Sequence, residues 1–331
     1  MNAKIVFYLA KIKKMGVRKL GLSSTVKDTV TAKPFIKWAG GKGQLLDTFS
    51  AFYPKEDLDK GLIDTYVEPF LGGGAVLFDV MQKFNIKKAF VFDVNEELVN
   101  TYRVIKEEPI QLMDILEEFQ KDYIKKNVVS RKEMFYEIRE KFNQGILENT
   151  KNRMNMAACF IFLNRTCFNG LYRVNKAGKY NVPSGDYKNP KICDRENLEK
   201  VSNILQNVEI FLGDYKNSSQ YCHQKSFVYF DPPYRPLNPT SSFNSYSKAG
   251  FGDREQIDLA MFFEECSAKG ASLMLSNSDP KNEDPKDEFF DKLYKKYTIN
   301  RVKARRVINA NAVRRGAINE ILVTNYEKYI I

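Results

Sequence analysis

The sequence predicts an α/β fold: one open, largely parallel sheet interrupted by a helical and β-hairpin insert. Three observations predict it. Short apolar runs of β-branched and aromatic residues alternate with amphipathic stretches near both ends of the chain. Residues 99 to 168 carry only helical spacings, with apolar side chains three and four apart. A segment rich in Asn, Gly, Lys and Tyr follows before the strand rhythm returns. The expected organisation is a basic N-terminal extension (1–32), the first part of the α/β domain (33–98), the insert (99–197) and the second part of the α/β domain (198–331).

The elements follow in order. "KPFIKWAGGKGQLL" (33–46) is a Gly-rich turn leading into a helix. "DTYVEPFLGGGAVLFDVM" reads as strand, glycine loop and helix, and "KKAFVFDVNEELVNTYRVIK" as strand, acid and helix. Two such units in succession imply parallel strands joined by right-handed crossovers. "IQLMDILEEFQKDY", "RKEMFYEIREKFNQ" and "RMNMAACFIFLNRTCF" are helices of the insert. Lys176-Ala-Gly-Lys179 is a hairpin signal between two short alternating runs. Strands resume in "VEIFLGDY", "SFVYFDPPY", "ASLMLSNS" and "NEILVTNY".

Bulk properties narrow the function. A chain of 331 residues, 43% apolar and 28% charged, has the composition of a soluble globular protein and the length for one large domain carrying a smaller one. No apolar run approaches the ~18 residues needed to cross a bilayer. "IVFYLA" near the N-terminus is too short for a secretory core and precedes no small-residue cleavage pattern, so 1–32 reads as a weakly structured extension with Met15 as an alternative start. Five scattered cysteines (159, 167, 193, 222, 266), no CxxC and the single His223 argue against a disulfide framework or a Cys/His zinc site. They fit packing roles in a reducing cytoplasm. Lys plus Arg exceed Asp plus Glu by 52 − 41 = 11, which suggests a polyanionic partner, nucleic acid being the commonest.

Val67-Glu-Pro-Phe-Leu-Gly-Gly-Gly-Ala75 places glycines at the carboxyl end of the first strand, where missing side chains let a ligand approach the backbone. Asp93 ends the next strand about 20 residues on, where an acid accepts bonds from a ribose diol. Together they point to a nucleoside-bearing cofactor without saying which. The order GGG and the lack of a following GKS or GKT exclude a P-loop and disfavour a dinucleotide.

In Phe227-Val-Tyr-Phe-Asp-Pro-Pro-Tyr234 a buried strand stops at an acid, two prolines and a ring. The prolines end the ladder and stiffen the turn, leaving its carbonyls to accept bonds from elsewhere. An exocyclic amine on a nucleobase is a weak nucleophile, because its lone pair is delocalised. A carboxylate and a proline-fixed carbonyl are two acceptors that can hold its N–H groups and aim the lone pair at an electrophile. Tyr234 would stack on the base, which must first leave the duplex. "FNGLYR" (168–173) leads into a basic hairpin. There Arg173 would take a guanine edge and Phe168 would wedge into the gap in the stack. "RVKARRVINANAVRRGAINE" (301–320) gathers six cations around Asn and Gly and reads as a phosphate-binding loop.

In this order "KWAGGK", "EPFLGGGAVLF", "FDVNEEL", "FNGLYRVN…YNVPSG" and "YFDPPY" resemble the Dam-type (D12 class) DNA adenine N6-methyltransferases, from about Lys33 to Tyr326. The resemblance implies S-adenosyl-methionine as methyl donor and double-stranded DNA as substrate. It implies a Rossmann-like methyltransferase fold with a mixed seven-stranded sheet and an inserted target-recognition domain. Trp38, Lys42, Glu68, Phe70, Gly72, Gly74 and Asp93 would line the cofactor site. Asp231 would serve both cofactor and catalysis, with Pro232, Pro233 and Tyr234 completing the catalytic turn. Phe168 and Asn169 would fill the gap left by the flipped adenine, while Leu171, Arg173 and Pro183 would touch the remaining base pairs. The usual target of the family is the adenine of GATC, and relatives that methylate longer GAT-containing sites share much of the hairpin. A cognate restriction endonuclease is a further expected partner, and neither a metal nor a membrane is expected. Two rivals stay open at this point, an RNA adenine methyltransferase and a DNA-binding regulator on a dead methyltransferase fold. A nicotinamide oxidoreductase shares the glycines and Asp93 but leaves DPPY and the basic hairpin unexplained.

Overall fold

The computed structural model describes residues 31–150, 152–235, 251–305 and 317–327. All but the last two residues of the expected N-terminal extension lie outside these, as does the middle of the basic 301–320 segment.

Among the described residues one seven-stranded sheet is formed by β1 (Thr65–Glu68), β2 (Lys88–Asp93), β3 (Val208–Leu212), β4 (Ser226–Phe230), β5 (Ser272–Ser278), β6 (Thr298–Arg305) and β7 (Ala317–Thr324). Its order is β3-β2-β1-β4-β5-β7-β6. The first five strands in that order pair in parallel, and β7 runs antiparallel to both β5 and β6. This is the mixed sheet that the resemblance implies. β1 and β4 are buried along their whole length because layers cover both faces, so they read as unbroken apolar runs rather than alternating ones. Side-chain alternation splits them between two cores. Val67, Val228, Phe230, Leu273, Leu275, Ile321 and Val323 share one core with Leu259, Phe263 and Cys266. Tyr66, Phe227 and Tyr229 take part in another, where Tyr53 and Phe49 pack on them.

The longer helices are α1 (Ala75–Lys83), α2 (Glu96–Glu107), α3 (Pro109–Lys125), α4 (Val128–Leu147), α5 (Arg153–Thr166), α6 (Arg195–Leu205) and α7 (Asp253–Ala268). Asn95, Asn127, Asn152 and Asp194 cap α2, α4, α5 and α6 by accepting a bond from an N–H in the first turn. The boundary expected at 98/99 falls inside α2. That helix is tied to the sheet, since Arg103 and Lys106 donate to the carbonyls of Ile210 and Val208 in β3. α5 is buried almost all round between its neighbours, which its run of apolar residues requires.

The hairpin closes through the antiparallel bridge of Val174 with Tyr180. Its turn runs from Asn175, whose side chain accepts from the N–H groups of Ala177 and Lys179, both at 3.0 Å. The segment 301–320 is not a loop at its ends, because Arg301 to Arg305 and Ala317 to Glu320 are ladder residues of β6 and β7. The density of cations hid a period-two pattern of strand residues there. Residues 306–316 lie outside the described residues.

Candidate active site

The strand order reverses between β1 and β4, and in an open α/β sheet that switch point, beyond the carboxyl ends, is where ligands bind. The two ends there carry the glycine loop after Glu68 and the turn Asp231-Pro-Pro-Tyr234 after Phe230.

Lys42 reaches this point from the other end of the chain and is only 3% exposed. Its Nζ donates to Asp231 Oδ1 (2.7 Å), to the Tyr234 hydroxyl (3.0 Å) and to the Gly40 carbonyl (2.9 Å). Burial alone would depress its pKa, but Asp231, Tyr234 and Glu320 outweigh it and hold the ammonium above the ordinary lysine value. Ser276 Oγ also donates to Asp231 Oδ1, at 3.1 Å. Burial raises the Asp231 pKa, and Lys42 and Ser276 pull against it. Among the described residues no donor bonds Asp231 Oδ2 or the Pro232 carbonyl. The Pro233 carbonyl is taken by Gln256 Nε2 of α7 at 3.1 Å. Tyr234 donates its hydroxyl proton to Glu320 Oε1 at 2.8 Å.

The glycine loop is shaped by contact. Gly72 has φ +48, and a Cβ there would stand 2.8 Å from Trp38 Cδ1. Gly72 N donates to Asp93 Oδ2 at 2.9 Å, Asn95 N donates to Oδ1 at 2.9 Å, and the Tyr102 hydroxyl donates to the Gly72 carbonyl. Asp93 thus ties the loop to β2, although its pKa is raised because burial outweighs these backbone bonds. Gly74 has φ +69 and packs against Tyr102 and Phe78. The Phe70 ring stacks on Tyr215 at 5.3 Å. Glu68 is buried and accepts from the Tyr66 hydroxyl at 2.9 Å, and burial first, then Asp231 and Asp93, push its pKa well above the ordinary value. Trp38 also stacks on Tyr172 of the insert at 5.7 Å, so it bridges loop and hairpin.

The expected base-reading residues lie on two paired stretches. Phe168 N donates to the Pro183 carbonyl, and Asn181 N to the Arg173 carbonyl. Phe168 is 53% exposed. Asn169 has φ +57 and Gly170 φ +65, a pair of left-handed residues that turns the chain sharply. Arg173 is exposed, and its Nε donates to Asn181 Oδ1 at 2.8 Å. Leu171 is half-buried, its carbonyl accepting from the Tyr180 hydroxyl.

Sequence reasoning missed several residues here. Asn164 exchanges two hydrogen bonds with the Lys37 backbone and donates to the Gly170 carbonyl, stapling the "KWAGGK" segment to the turn of Asn169 and Gly170. Ser276, Gln256 and Glu320 hold the DPPY turn. Asn164, Ser276 and Glu320 are polar residues at one end of an apolar run, which is the signal that could have found them, whereas Gln256 stands among charged residues and carries no such signal.

Comparison with known proteins agrees with this geometry. The family model for D12 class N6 adenine-specific DNA methyltransferases matches residues 38–308. The Type II methyltransferase M.MjaIII of Methanocaldococcus jannaschii is 48% identical over 295 residues, covering 89% of this chain and 99% of that protein. Type II methyltransferase M1.LlaDCHI of Lactococcus lactis subsp. cremoris is 37% identical, with 91% and 98% covered. A DNA adenine methylase of Vibrio cholerae is 32% identical, with 88% and 95% covered. With its Rossmann-like methyltransferase fold, this chain belongs to the D12 class N6 adenine-specific DNA methyltransferases and is an adenine-specific DNA methyltransferase.

Proposed function

We propose that the protein transfers a methyl group from S-adenosyl-methionine to N6 of an adenine flipped out of duplex DNA, within GATC. The observation that carries this reading is the pair of acceptors left at the DPPY turn. Asp231 Oδ1 is occupied by Lys42 and Ser276, whereas Oδ2 and the Pro232 carbonyl have no donor among the described residues. An exocyclic amine offers two N–H donors, and two fixed acceptors hold it with its lone pair directed away from both. The Tyr234 ring, anchored through its hydroxyl by Lys42 and Glu320, gives the base a face to stack on.

The residues at the switch point fit the cofactor. Its sulfonium supplies an electrophilic methyl group. Trp38, Phe70, Gly72 and Gly74 would hold it, with Asp93 accepting from the ribose and the acids Glu68 and Asp231 facing its positive charge. Lys42 would set the orientation of Asp231. The insert, 99–197, would be the recognition module, with Phe168 and Asn169 filling the vacated stack and Leu171, Arg173 and Pro183 reading the other base pairs. Because two relatives are named Type II methyltransferases, a restriction endonuclease acting on the same site is the proposed partner. A cytoplasmic location goes with that role, and no described helix is long and apolar enough to cross a membrane.

The test is incubation with labelled S-adenosyl-methionine and unmethylated DNA, followed by mapping of N6-methyladenine. Methyl confined to the adenine of GATC is expected. A different motif would overturn the target, and label in RNA but not DNA would overturn the substrate.

A further inference from the structure

Glu320 stands on β7, the antiparallel strand beyond β5, and its side chain points at the catalytic turn. It is 6% exposed. Oε1 accepts from the Tyr234 hydroxyl at 2.8 Å, while Oε2 is buried without a hydrogen-bond partner among the described residues. Burial raises its pKa, and Lys42 pulls it down. A buried carboxylate with one oxygen unsatisfied costs stability, and such groups are retained where they do something else. Here the carboxylate closes a chain: Asp231 accepts from Lys42, Lys42 donates to the Tyr234 oxygen, and Tyr234 donates to Glu320. The phenol has one proton, and with Lys42 donating to its oxygen that proton must point elsewhere. Glu320 is the acceptor that fixes where, and so fixes the ring.

Charge points the same way. Asp231 and Lys42 offset one another as a pair, and Glu320 adds a further carboxylate on the other side of the lysine. The carboxylate of Glu320 supplies the negative charge that favours a cationic reactant beside it.

Resting on the methyl-transfer reading above, we propose that Glu320 is a positioning residue for that reaction, acting through Tyr234 and Lys42. Glu320→Gln keeps an acceptor oxygen of nearly the same shape and removes the charge, and Glu320→Ala removes both. Single-turnover methylation rate, duplex affinity and thermal midpoint are measured for both variants and the wild type. The expected result is a methylation rate down about tenfold in Glu320→Gln, which loses the charge, and further in Glu320→Ala, which also loses the hydrogen bond that orients Tyr234. Duplex affinity stays within about twofold. The thermal midpoint of Glu320→Gln is unchanged or higher, because a poorly satisfied buried charge is gone. A purely structural glutamate would give the opposite split, a lower midpoint with an unchanged rate per folded molecule, and that result overturns the proposal. So does a wild-type rate in Glu320→Ala. Absence of methylation by the wild type on any DNA would instead overturn the underlying reading, and the wild-type sample alone reveals it.

Discussion

Lys42 Nζ lies 2.7 Å from Asp231 Oδ1, although 189 residues separate the two in the chain. The pair joins the Gly-rich N-terminal turn to the end of β4, and the lysine is buried. Removing one partner of such a pair leaves the other charge desolvated and uncompensated. Lys42→Met should therefore cost about 3 kcal/mol of stability, the low end of the range because Asp231 keeps some exposure. Asp231→Asn in the same chain should return most of that loss without returning methylation. Urea unfolding of the two single variants and the double variant checks the coupling, and additive losses would show that the pair is incidental.

Gly72 is one of the positions at which the glycine loop has little freedom. Its φ of +48 is left-handed, which costs an L-residue roughly 1–2 kcal/mol, and the Trp38 indole occupies the space of its missing Cβ. Gly72→Ala should displace the loop, weakening S-adenosyl-methionine binding by at least about tenfold in a calorimetric titration. Unchanged affinity would mean that the indole, not the loop, yields.

Six of the seven strands were legible because each is short, largely apolar and set off by Gly, Pro or an acid. The switch point was legible too, since the glycine loop and DPPY both sit where a strand must stop. What stayed hidden was the third dimension. Nothing in "NEILV" says that Glu320 faces Tyr234, because the register of β7 against β5 is set by the antiparallel return, not by local propensity. Asn164 was hidden for a similar reason: its partners at Lys37 are 127 residues away. Charge misleads in the 301–320 segment, where Arg301, Lys303 and Arg305 belong to a strand although a cluster of cations suggests a loop. The roles given to the site residues rest on family resemblance and geometry together.

Glu68 gives the stability a pH dependence whose sign is fixed. Its carboxyl is buried at the carboxyl end of β1, and burial, Asp231 and Asp93 hold its pKa well above the ordinary value. The folded state therefore binds this proton more tightly than the unfolded state. Stability from this group is complete below the ordinary glutamate pKa and is lost as pH rises from there through the raised folded value. Glu68→Gln lacks that loss, so its stability relative to the wild type should improve between pH about 5 and about 8. Guanidinium unfolding at the two pH values checks this, and a constant difference would place the titration elsewhere.

Arg173 tests the hairpin as a reader of sequence. Its Nε is held by Asn181 at 2.8 Å, which orients the guanidinium and leaves the two terminal nitrogens without a protein partner among the described residues. A fork fixed at one end is suited to the two acceptors on a guanine edge. Arg173→Ala should relax discrimination at a single base pair by ~1–3 kcal/mol, read from single-turnover rates on every single-base variant of the site. Arg173→Lys should recover little, since an ammonium cannot form the paired bonds. Asn181→Ala should relax the same base pair by less, because the guanidinium remains but loses its orientation. If the preference of Arg173→Ala matches the wild type at every position, sequence is read elsewhere on the protein and the hairpin only grips the backbone.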